Sequence, residues 1–393
     1  MRLRHHHTTI RFFTARTVAT LFAWLTLLPL LPAAWAQEQE VLIGFAGPIK
    51  EANARSGRNA AQLAITEANR RDVRIGGKKI TFRLIDQDDK ADPQTAVFVA
   101  NFFAKAVPRV TAVIGHSNSG ASIATAKIYN DAGIAQISPT AWSNKFTDPG
   151  HDTVFQMLGD DENGISNTID HAMNIMQLRR FAVIDDGAIL GNSMADIFVR
   201  LATAKGAAIV YRDSISNKTF DFNATLNRAK NSGVDMIFFT GRDTQSDQLV
   251  RNMVRLKVPA KLLVTDSVIT QKFLQSAGTL PDDYVFAIIP SEPLGNVSGA
   301  RNFAKAYQAA YGEPFSLDAM QSYDSTNFLI AAIRKANSLE PRAIIDALHA
   351  LEIPGVSGTL AFDARGRRRN PVYTLYTVRQ QQWEAIKFFK NPR

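Results

Sequence analysis

The chain has 393 residues, of which 46% are hydrophobic and 21% are charged. This length predicts two domains with substantial cores, and a charged fraction close to a quarter is not that of a disordered chain. The absence of cysteine excludes disulfide scaffolds, thiol catalysis, iron–sulfur clusters and cysteine-based zinc sites.

The first 36 residues have the three-part pattern of a secretory signal peptide. An apolar run from Val18 to Leu31 follows a basic start, and Ala34-Trp35-Ala36 forms an A-x-A cleavage site. The four arginines of this segment, unopposed by any acid, account for four units of the formal net charge of +9, which leaves a net charge of +5 on the remaining 357 residues. That balance gives no strong indication of nucleic acid binding. An uncleaved anchor is the alternative, but the run is short for a bilayer span and contains Pro29.

The first part of the mature chain alternates predicted strands and helices. Val41–Gly47 is a buried strand that ends in a Gly-Pro turn, and Ser119–Asp131 is a later helix of the same series. Asp92-Pro93 marks another helix start, because the carboxylate accepts first-turn amides and proline needs no partner there. A second series begins with apolar runs near Phe181, Ala207, Asp235 and Lys261. Their spacing of 26 to 28 residues is that of repeated strand–helix units.

The two series predict an α/β protein with two doubly wound lobes, each built on a parallel sheet. The acidic stretch at residues 159–163 is expected to be an irregular connection. After Tyr284–Pro290 the chain has three helical segments and then mostly strand, which is too little for a third lobe. The tail is therefore expected to complete the first two sheets, with several crossings of the chain. The crevice between the lobes is the expected ligand site, since loops at the carboxyl ends of parallel strands converge there.

Sequence signatures of enzymes are absent. The chain has no phosphate loop, no H-E-x-x-H pair, and no G-x-G-x-x-G after the first strand, so no cofactor or metal is indicated. Gly115 to Ser119 begins like a nucleophile elbow, but Ser119 occupies the place of the second glycine. The acidic run at residues 86–89 is expected to be a solvated turn, and the basic run at residues 365–369 a solvated face.

Two strand-to-helix loops are the best candidates for a binding site. The loop of residues 115–122 is rich in glycine and serine and leads into a predicted helix, so its amides lie at the positive helix end. Such a loop binds a carboxylate without a cationic side chain. The loop of residues 138–143 adds further amides and carbonyls, and Trp142 as an aromatic wall.

These segments carry a resemblance to a known family. The runs V-I-G-H-S-N-S-G-A-S and I-Y-N-D-A-G-I-A-Q-I-S-P-T-A, together with D-Q-D-D-K-A-D-P-Q-T-A-V and Q-S-Y-D-S-T-N, resemble the periplasmic leucine/isoleucine/valine-binding proteins of ABC transporters. The similarity runs through nearly all of the mature chain in the same order.

The resemblance implies a type I periplasmic binding fold, in which two α/β lobes joined by a three-segment hinge close on the ligand. It places the first lobe at residues 37–156 and 286–371, and the second at residues 157–285 and 372–393. No catalysis and no cofactor are implied.

The resemblance also implies ligand-binding residues. Ser119 and Gly120 match the residues that hold a carboxylate, Thr140 and Ser143 those that contact the ammonium and carboxylate, and Asp266 the acid that pairs with the ammonium. Four positions depart from the family: Trp142 replaces a threonine, Leu190 and Arg242 replace tyrosines, and Asn53 replaces an aromatic residue beside Arg55 and Arg58. These departures weigh against leucine, isoleucine or valine as the ligand. An inward Arg242 would suit an anionic or amide group.

The predicted function is therefore a periplasmic substrate-binding protein for an amino acid or related small carboxylate or amide. Its partners would be the permease and ATPase subunits of an ABC importer. Two alternatives stay open: a ligand sensor of the same fold that passes closure to a regulatory partner, and a secreted α/β hydrolase that uses Ser119 or His116.

Overall fold

The computed structural model describes Met1 and residues 38–391, apart from Asn217, Arg242 and residues 294–298. The predicted signal peptide and the predicted site residue Arg242 therefore lie outside the described residues. Gln39–Arg393 form one compact unit. Within the described part of the chain, no helix combines the length and apolar character needed to cross a membrane.

The first sheet has six strands in the spatial order β2-β3-β1-β4-β5-β6. Four pairings, β1 with β3, β1 with β4, β4 with β5 and β5 with β6, are parallel, while β2 and β3 form an antiparallel hairpin. The strands are β1 (Gln39–Gly47), β2 (Arg74–Ile75), β3 (Lys78–Asp88), β4 (Val110–Gly115), β5 (Ala135–Ser138) and β6 (Val154–Gln156).

Helices cover both faces of this sheet, because apolar side chains point to either side of the central strands. As predicted, the Asp92 carboxylate caps one helix by accepting from the Thr95 amide at 2.7 Å. The helices of this part are α1 (Ala52–Asn69), α2 (Pro93–Ala104), α3 (Ser119–Asp131), α9 (Ala300–Tyr311), α10 (Leu317–Ala336) and α11 (Pro341–Ala350). The hairpin of β12 (Ile353–Gly355) and β13 (Gly358–Leu360) packs beside α10.

The second sheet has seven strands in the order β15-β14-β11-β10-β9-β7-β8. Its strands are β7 (Arg180–Asp185), β8 (Ala208–Ser214), β9 (Met236–Thr240), β10 (Lys261–Thr265), β11 (Val285–Ile289), β14 (Val372–Arg379) and β15 (Gln382–Lys390). Strands β14 and β15 join antiparallel. The tail therefore completes the second sheet as expected, but not the first, which consists of β1 to β6. Its helices are α4 (Asp161–Asp170), α5 (Ile189–Ala204), α6 (Asn223–Asn231), α7 (Asp243–Arg255) and α8 (Gln271–Ala277).

The chain passes between the two sheets three times: after β6, after β11, and before β14. This is the predicted α/β class with parallel sheets. All of β11 pairs within the second sheet, so residues 286–289 belong there rather than with the first lobe, and the crossing begins at Pro290.

Two local expectations are wrong. The acidic stretch of residues 159–163 is not irregular, because Asp160 caps α4 by accepting from the Asn163 amide at 2.8 Å. The basic run of residues 365–369 is not a uniformly solvated face, because Arg368 is only 8% exposed. Each segment thus contains a polar side chain, Asp160 or Arg368, that is buried and hydrogen-bonded within the protein.

Candidate functional site

The two predicted loops lie side by side at the carboxyl ends of neighbouring strands, β4 and β5. We name them the Ser119 loop (residues 115–122) and the Trp142 loop (residues 138–144). Ser119 is the first residue of α3 and is 3% exposed. Its hydroxyl accepts hydrogen bonds from the amides of Trp142 at 3.2 Å and Ser143 at 3.3 Å. Since a hydroxyl that accepts two N–H groups still has its own proton, Ser119 can donate to a ligand oxygen.

The start of α3 provides a second set of donors at the same place. The Asn118 side chain caps the helix by accepting from the Ala121 amide at 2.9 Å. The amides of Ser119 and Gly120 precede the first intrahelical donors, at the positive end of the helix dipole. This end of the site suits a carboxylate.

A buried polar cluster holds the Ser119 loop in place. The carbonyl of His116 accepts from the hydroxyls of Ser122 at 2.9 Å and Ser138 at 2.7 Å. The His116 ring lies 2.6 Å from Asp89 through Nδ1 and 3.2 Å from Tyr129 through Nε2, and all three residues are fully buried. Both ring nitrogens are thus engaged away from Ser119, so His116 is not its general base. Ser119 and His116 therefore do not form a nucleophile–base pair.

The side chains of Thr140 and Ser143 differ in their hydrogen bonding. The hydroxyl of Thr140 donates to the carbonyl of Ser117, which joins the two loops again. Ser143 is fully buried, and among the described residues its hydroxyl has no hydrogen-bond partner. Burial raises the pKa of the Asp161 carboxyl to about 6, although hydrogen bonding from the Asn144 amide opposes the shift. The Asn144 amide donates to the same carboxylate at 3.0 Å.

Trp142 does not form the expected aromatic wall. Its ring is 5% exposed and packs within the apolar core of the second sheet, which also contains Tyr373. The rings of Trp142 and Tyr373 both pack closely against Gly164, because a Cβ added there would lie 3.2 Å from each ring. The Trp142 carbonyl accepts from the Asp161 amide at 2.7 Å. The Trp142 loop is therefore attached directly to the first crossing.

Asp266 lies after β10 of the second sheet, in a 3₁₀ turn. Burial raises the pKa of its carboxyl to about 6, although hydrogen bonds from its own amide and that of Ser267 oppose the shift. Asp318, in the first turn of α10, also has its pKa raised to about 6. The causes are burial, then the charge of Asp266, then that of Glu51. The carboxylate that follows β10 and the carboxylate at the start of α10 therefore lie within electrostatic reach of one another.

Sequence reasoning missed Asp318 and Glu51. An acid in the first turn of a helix normally satisfies the helix dipole, and Ser316 caps α10, so Asp318 resembles ordinary capping chemistry. The only available signal was its place three residues before the Q-S-Y-D-S-T-N run. Nothing local indicated that Asp266 lies nearby.

The remaining predicted residues lie at the edge of this arrangement. Asn53 is exposed in the first turn of α1, while Leu190 packs partly buried against the second-sheet core. Arg58 forms an ion pair with Asp86 at 3.4 Å, and Arg55 donates to the Lys50 carbonyl at 3.2 Å. These two arginines have partners within the first part of the chain.

The acidic run of residues 86–89 is not the solvated turn expected from the sequence, because residues 86–88 end strand β3 and Asp89 is fully buried. Its carboxylates pair with protein groups: Asp86 with Arg58, Asp88 with Lys50 at 3.8 Å and Asp89 with His116. The described residues contain no group of three or more potential metal ligands.

Comparisons with known proteins concern the family and the fold of this chain. A family model described as periplasmic binding protein matches residues 41–382. An amino acid binding protein of Pseudomonas aeruginosa is 28% identical over 346 residues, which cover 86% of this chain and 90% of that protein. The Leu/Ile/Val-binding protein homolog 1 of Brucella suis is 27% identical and covers 93% of this chain and 96% of its own length.

A solved structure shows the same fold. It is the branched-chain amino acid transporter substrate binding protein LivJ from Streptococcus pneumoniae, in complex with isoleucine. The TM-score is 0.76 at 23% identity, and the match covers 90% of this chain and all of that one.

Proposed function

The chain belongs to the periplasmic binding protein family, and on that premise we propose that it captures an amino acid, or a related small carboxylate or amide, for an ABC importer. The observation that carries this proposal is that the protein offers hydrogen-bond donors in one place and carboxylates in another. Hydroxyl and amide donors converge at Ser119, while the charge of Asp266, which follows β10, acts on the carboxyl of Asp318 in the first turn of α10. A small zwitterion satisfies both ends.

In this proposal the ligand carboxylate lies at the Ser119 loop. It accepts from the Ser119 hydroxyl and from the amides at the start of α3, which need no cationic side chain. The ligand ammonium lies between Asp266 and Asp318. Burying a zwitterion costs several kcal/mol per unpaired charge, so both ends must be matched. Ion pairing also offsets the unfavourable proximity of the two carboxylates.

The proposal implies that two lobes close on the ligand, because its carboxylate and its ammonium contact different lobes. We assign residues 39–156 and 290–371 to the first lobe, and residues 157–289 and 372–391 to the second. Because Ser119 belongs to one and Asp266 to the other, ligand contacts are complete only when the lobes approach. A ligand with such differential contacts favours the closed form. The closed complex would then be the form that the permease and its ATPase subunits receive.

The proposal includes export to the periplasm, with cleavage after Ala36. The support is the basic start, the apolar run and the A-x-A site of residues 1–36. Sequencing the amino terminus of protein recovered from a periplasmic extract tests this step. An amino terminus at Gln37 is expected, and an intact Met1 in the membrane fraction would contradict it.

A thermal-shift screen of the mature chain tests the proposed ligand class, because a ligand that binds only the folded state raises the melting temperature. The sharpest form compares each amino acid with its N-acetyl derivative and its amide. The N-acetyl form removes the ammonium and the amide removes the carboxylate, so each should lose most of the shift. Equal shifts from the N-acetyl form would contradict the roles of Asp266 and Asp318. Turnover of a bound compound would instead favour an enzyme.

A further inference from the structure

A cavity of about 260 Å³ lies where the chain crosses between the two sheets. All three crossings contribute to its wall: Met157 and Gly159 from the first, residues 290–292 from the second, and residues 370–372 from the third. We name it the crossing cavity. Its lining contains neither Ser119 nor Asp266, so its wall is distinct from the loops of the proposed amino acid site.

Gln321, in the first turns of α10, lines this cavity and is 1% exposed. Among the described residues, its Oε1 atom has no hydrogen-bond partner. An amide oxygen buried without a donor costs about 1–3 kcal/mol, and buried polar groups in folded proteins almost always have one. Because Gln321 lines the cavity, the missing donor is expected there.

Arg368 contributes a positive charge to the same wall and is 8% exposed. Its Nη1 and Nη2 atoms donate to the carbonyls of Met157, Ser357 and Thr359 and to the Ser357 hydroxyl, at 2.8 to 3.2 Å. All four acceptors are neutral. Asp324 and Glu292 act on the guanidinium electrostatically, but the Asp324 carboxylate is itself bound by the Val356 and Ser357 amides.

The other polar groups of the wall have complementary roles. Lys390 adds a second cation, and Glu292 adds a negative charge whose oxygens can accept from a ligand donor. The apolar part of the wall consists of two methionines and two prolines: Met157, Met320, Pro290 and Pro371. Small-molecule sites commonly combine an apolar lining with a few polar groups in this way.

We propose that the crossing cavity is a second ligand site, which takes a small carboxylate that also carries an O–H or N–H donor. The carboxylate pairs with Lys390 and is attracted by the charge of Arg368, whose Nη hydrogens are already donated within the protein, and the donor satisfies Gln321. Because all three crossings line the cavity, an occupant contacts every segment that must bend when the lobes move. Its binding is therefore linked to lobe closure, which makes the cavity an effector site.

L-Lactate and propionate form a matched pair of probes, since both are small carboxylates and only lactate has a hydroxyl donor. Crystals of the mature protein soaked in lactate should show density in contact with Gln321 Oε1 and Arg368. In calorimetry, lactate should bind at least about tenfold more tightly than propionate, the value of one hydrogen bond to an otherwise unpaired group. Gln321→Met, an apolar side chain of similar length, should abolish the difference.

Two results would overturn the proposal. One is a lactate soak that leaves only ordered water beside Gln321, which would identify the cavity as a hydrated void. The other is an equal preference for lactate in Gln321→Met and in the wild type. The wild-type soaks decide the question even if the variant does not fold.

Discussion

The two walls of the proposed amino acid site are built in different ways. The first, made of the Ser119 and Trp142 loops, is cross-linked by buried hydrogen bonds from Ser122, Ser138 and Thr140. The second consists of Asp266, whose carboxyl has backbone amides near it and whose burial raises its pKa to about 6. The first wall is preorganised to donate hydrogen bonds to a ligand. The second holds the charge of Asp266 in a buried place, which costs free energy until a ligand cation pairs with it. Preorganisation lowers the free energy spent on ordering the site when a ligand binds. Pairing of the Asp266 charge with the ligand provides free energy that favours lobe closure.

The largest expected effect tests how far the first wall depends on the crossing region. Trp142→Ala should lower the free energy of unfolding by about 3 kcal/mol, since it removes a buried ring packed against Gly164 and Tyr373. Urea denaturation of the ligand-free protein measures this. Phe102→Ala is the control, because that ring is 51% exposed and should change stability little. Equal losses in both variants would mean that Trp142 has no special anchoring role.

Asp266→Asn tests the second wall. It should weaken an amino acid ligand by about 2 kcal/mol or more, because the ligand ammonium would be buried without a counter-charge. Isothermal titration calorimetry measures the dissociation constant. Asp196→Asn is the matched control: Asp196 is exposed on α5 and pairs with Arg212 at 3.3 Å. An unchanged dissociation constant in Asp266→Asn would refute the assignment.

The raised pKa values of Asp266 and Asp318 predict opposite effects of pH on binding and on stability. Ligand affinity should fall about tenfold between pH 7 and pH 5, since an ammonium pairs only with the ionised carboxylates and about a tenth stay ionised one unit below a pKa near 6.

Stability of the ligand-free protein should change in the other direction. A carboxyl whose pKa is higher in the folded than in the unfolded state stabilises fully below the unfolded value, and this contribution is lost as pH rises through about 6. The loss should be about 1 kcal/mol, because both side chains are partly exposed and solvent screens them. Asp318→Asn should weaken both trends, measured by melting temperature and calorimetry across pH 5–8. Affinity that is flat over this range would contradict the role of the two carboxylates.

The smallest effect is expected for a substitution in the first wall, which is made of the Ser119 and Trp142 loops. Ser119→Ala should weaken the ligand by about 1 kcal/mol, because the helix amides remain when the hydroxyl is removed. Ser338→Ala, in the connection between α10 and α11, is the control for loss of a serine hydroxyl. If Ser119→Ala binds as the wild type does, the carboxylate does not lie at this loop.

Much of the architecture was predictable because it follows from local patterns. The bounds of α3 were predicted correctly, and Asp92 caps α2 as expected. The start of α4 was missed, since a run of acidic residues resembles a loop until the Asp160 cap is seen. The position of Trp142 was wrong for a related reason: a strand-end loop indicates a site, but it does not indicate which side chains turn into the core.

The amino-acid sequence by itself determined the order of strands and helices, the two parallel sheets and the chemistry of the Ser119 loop. These depend on hydrophobic periodicity, capping residues and helix termini, all of which act over a few residues. Only the tertiary structure decided that Asp318 lies near Asp266, that Trp142 packs at the crossings, and that Gln321 and Arg368 share a cavity. These groups are brought together by long-range packing, and the burial that shifts their pKa values or leaves an amide oxygen unpaired exists only once the chain has folded.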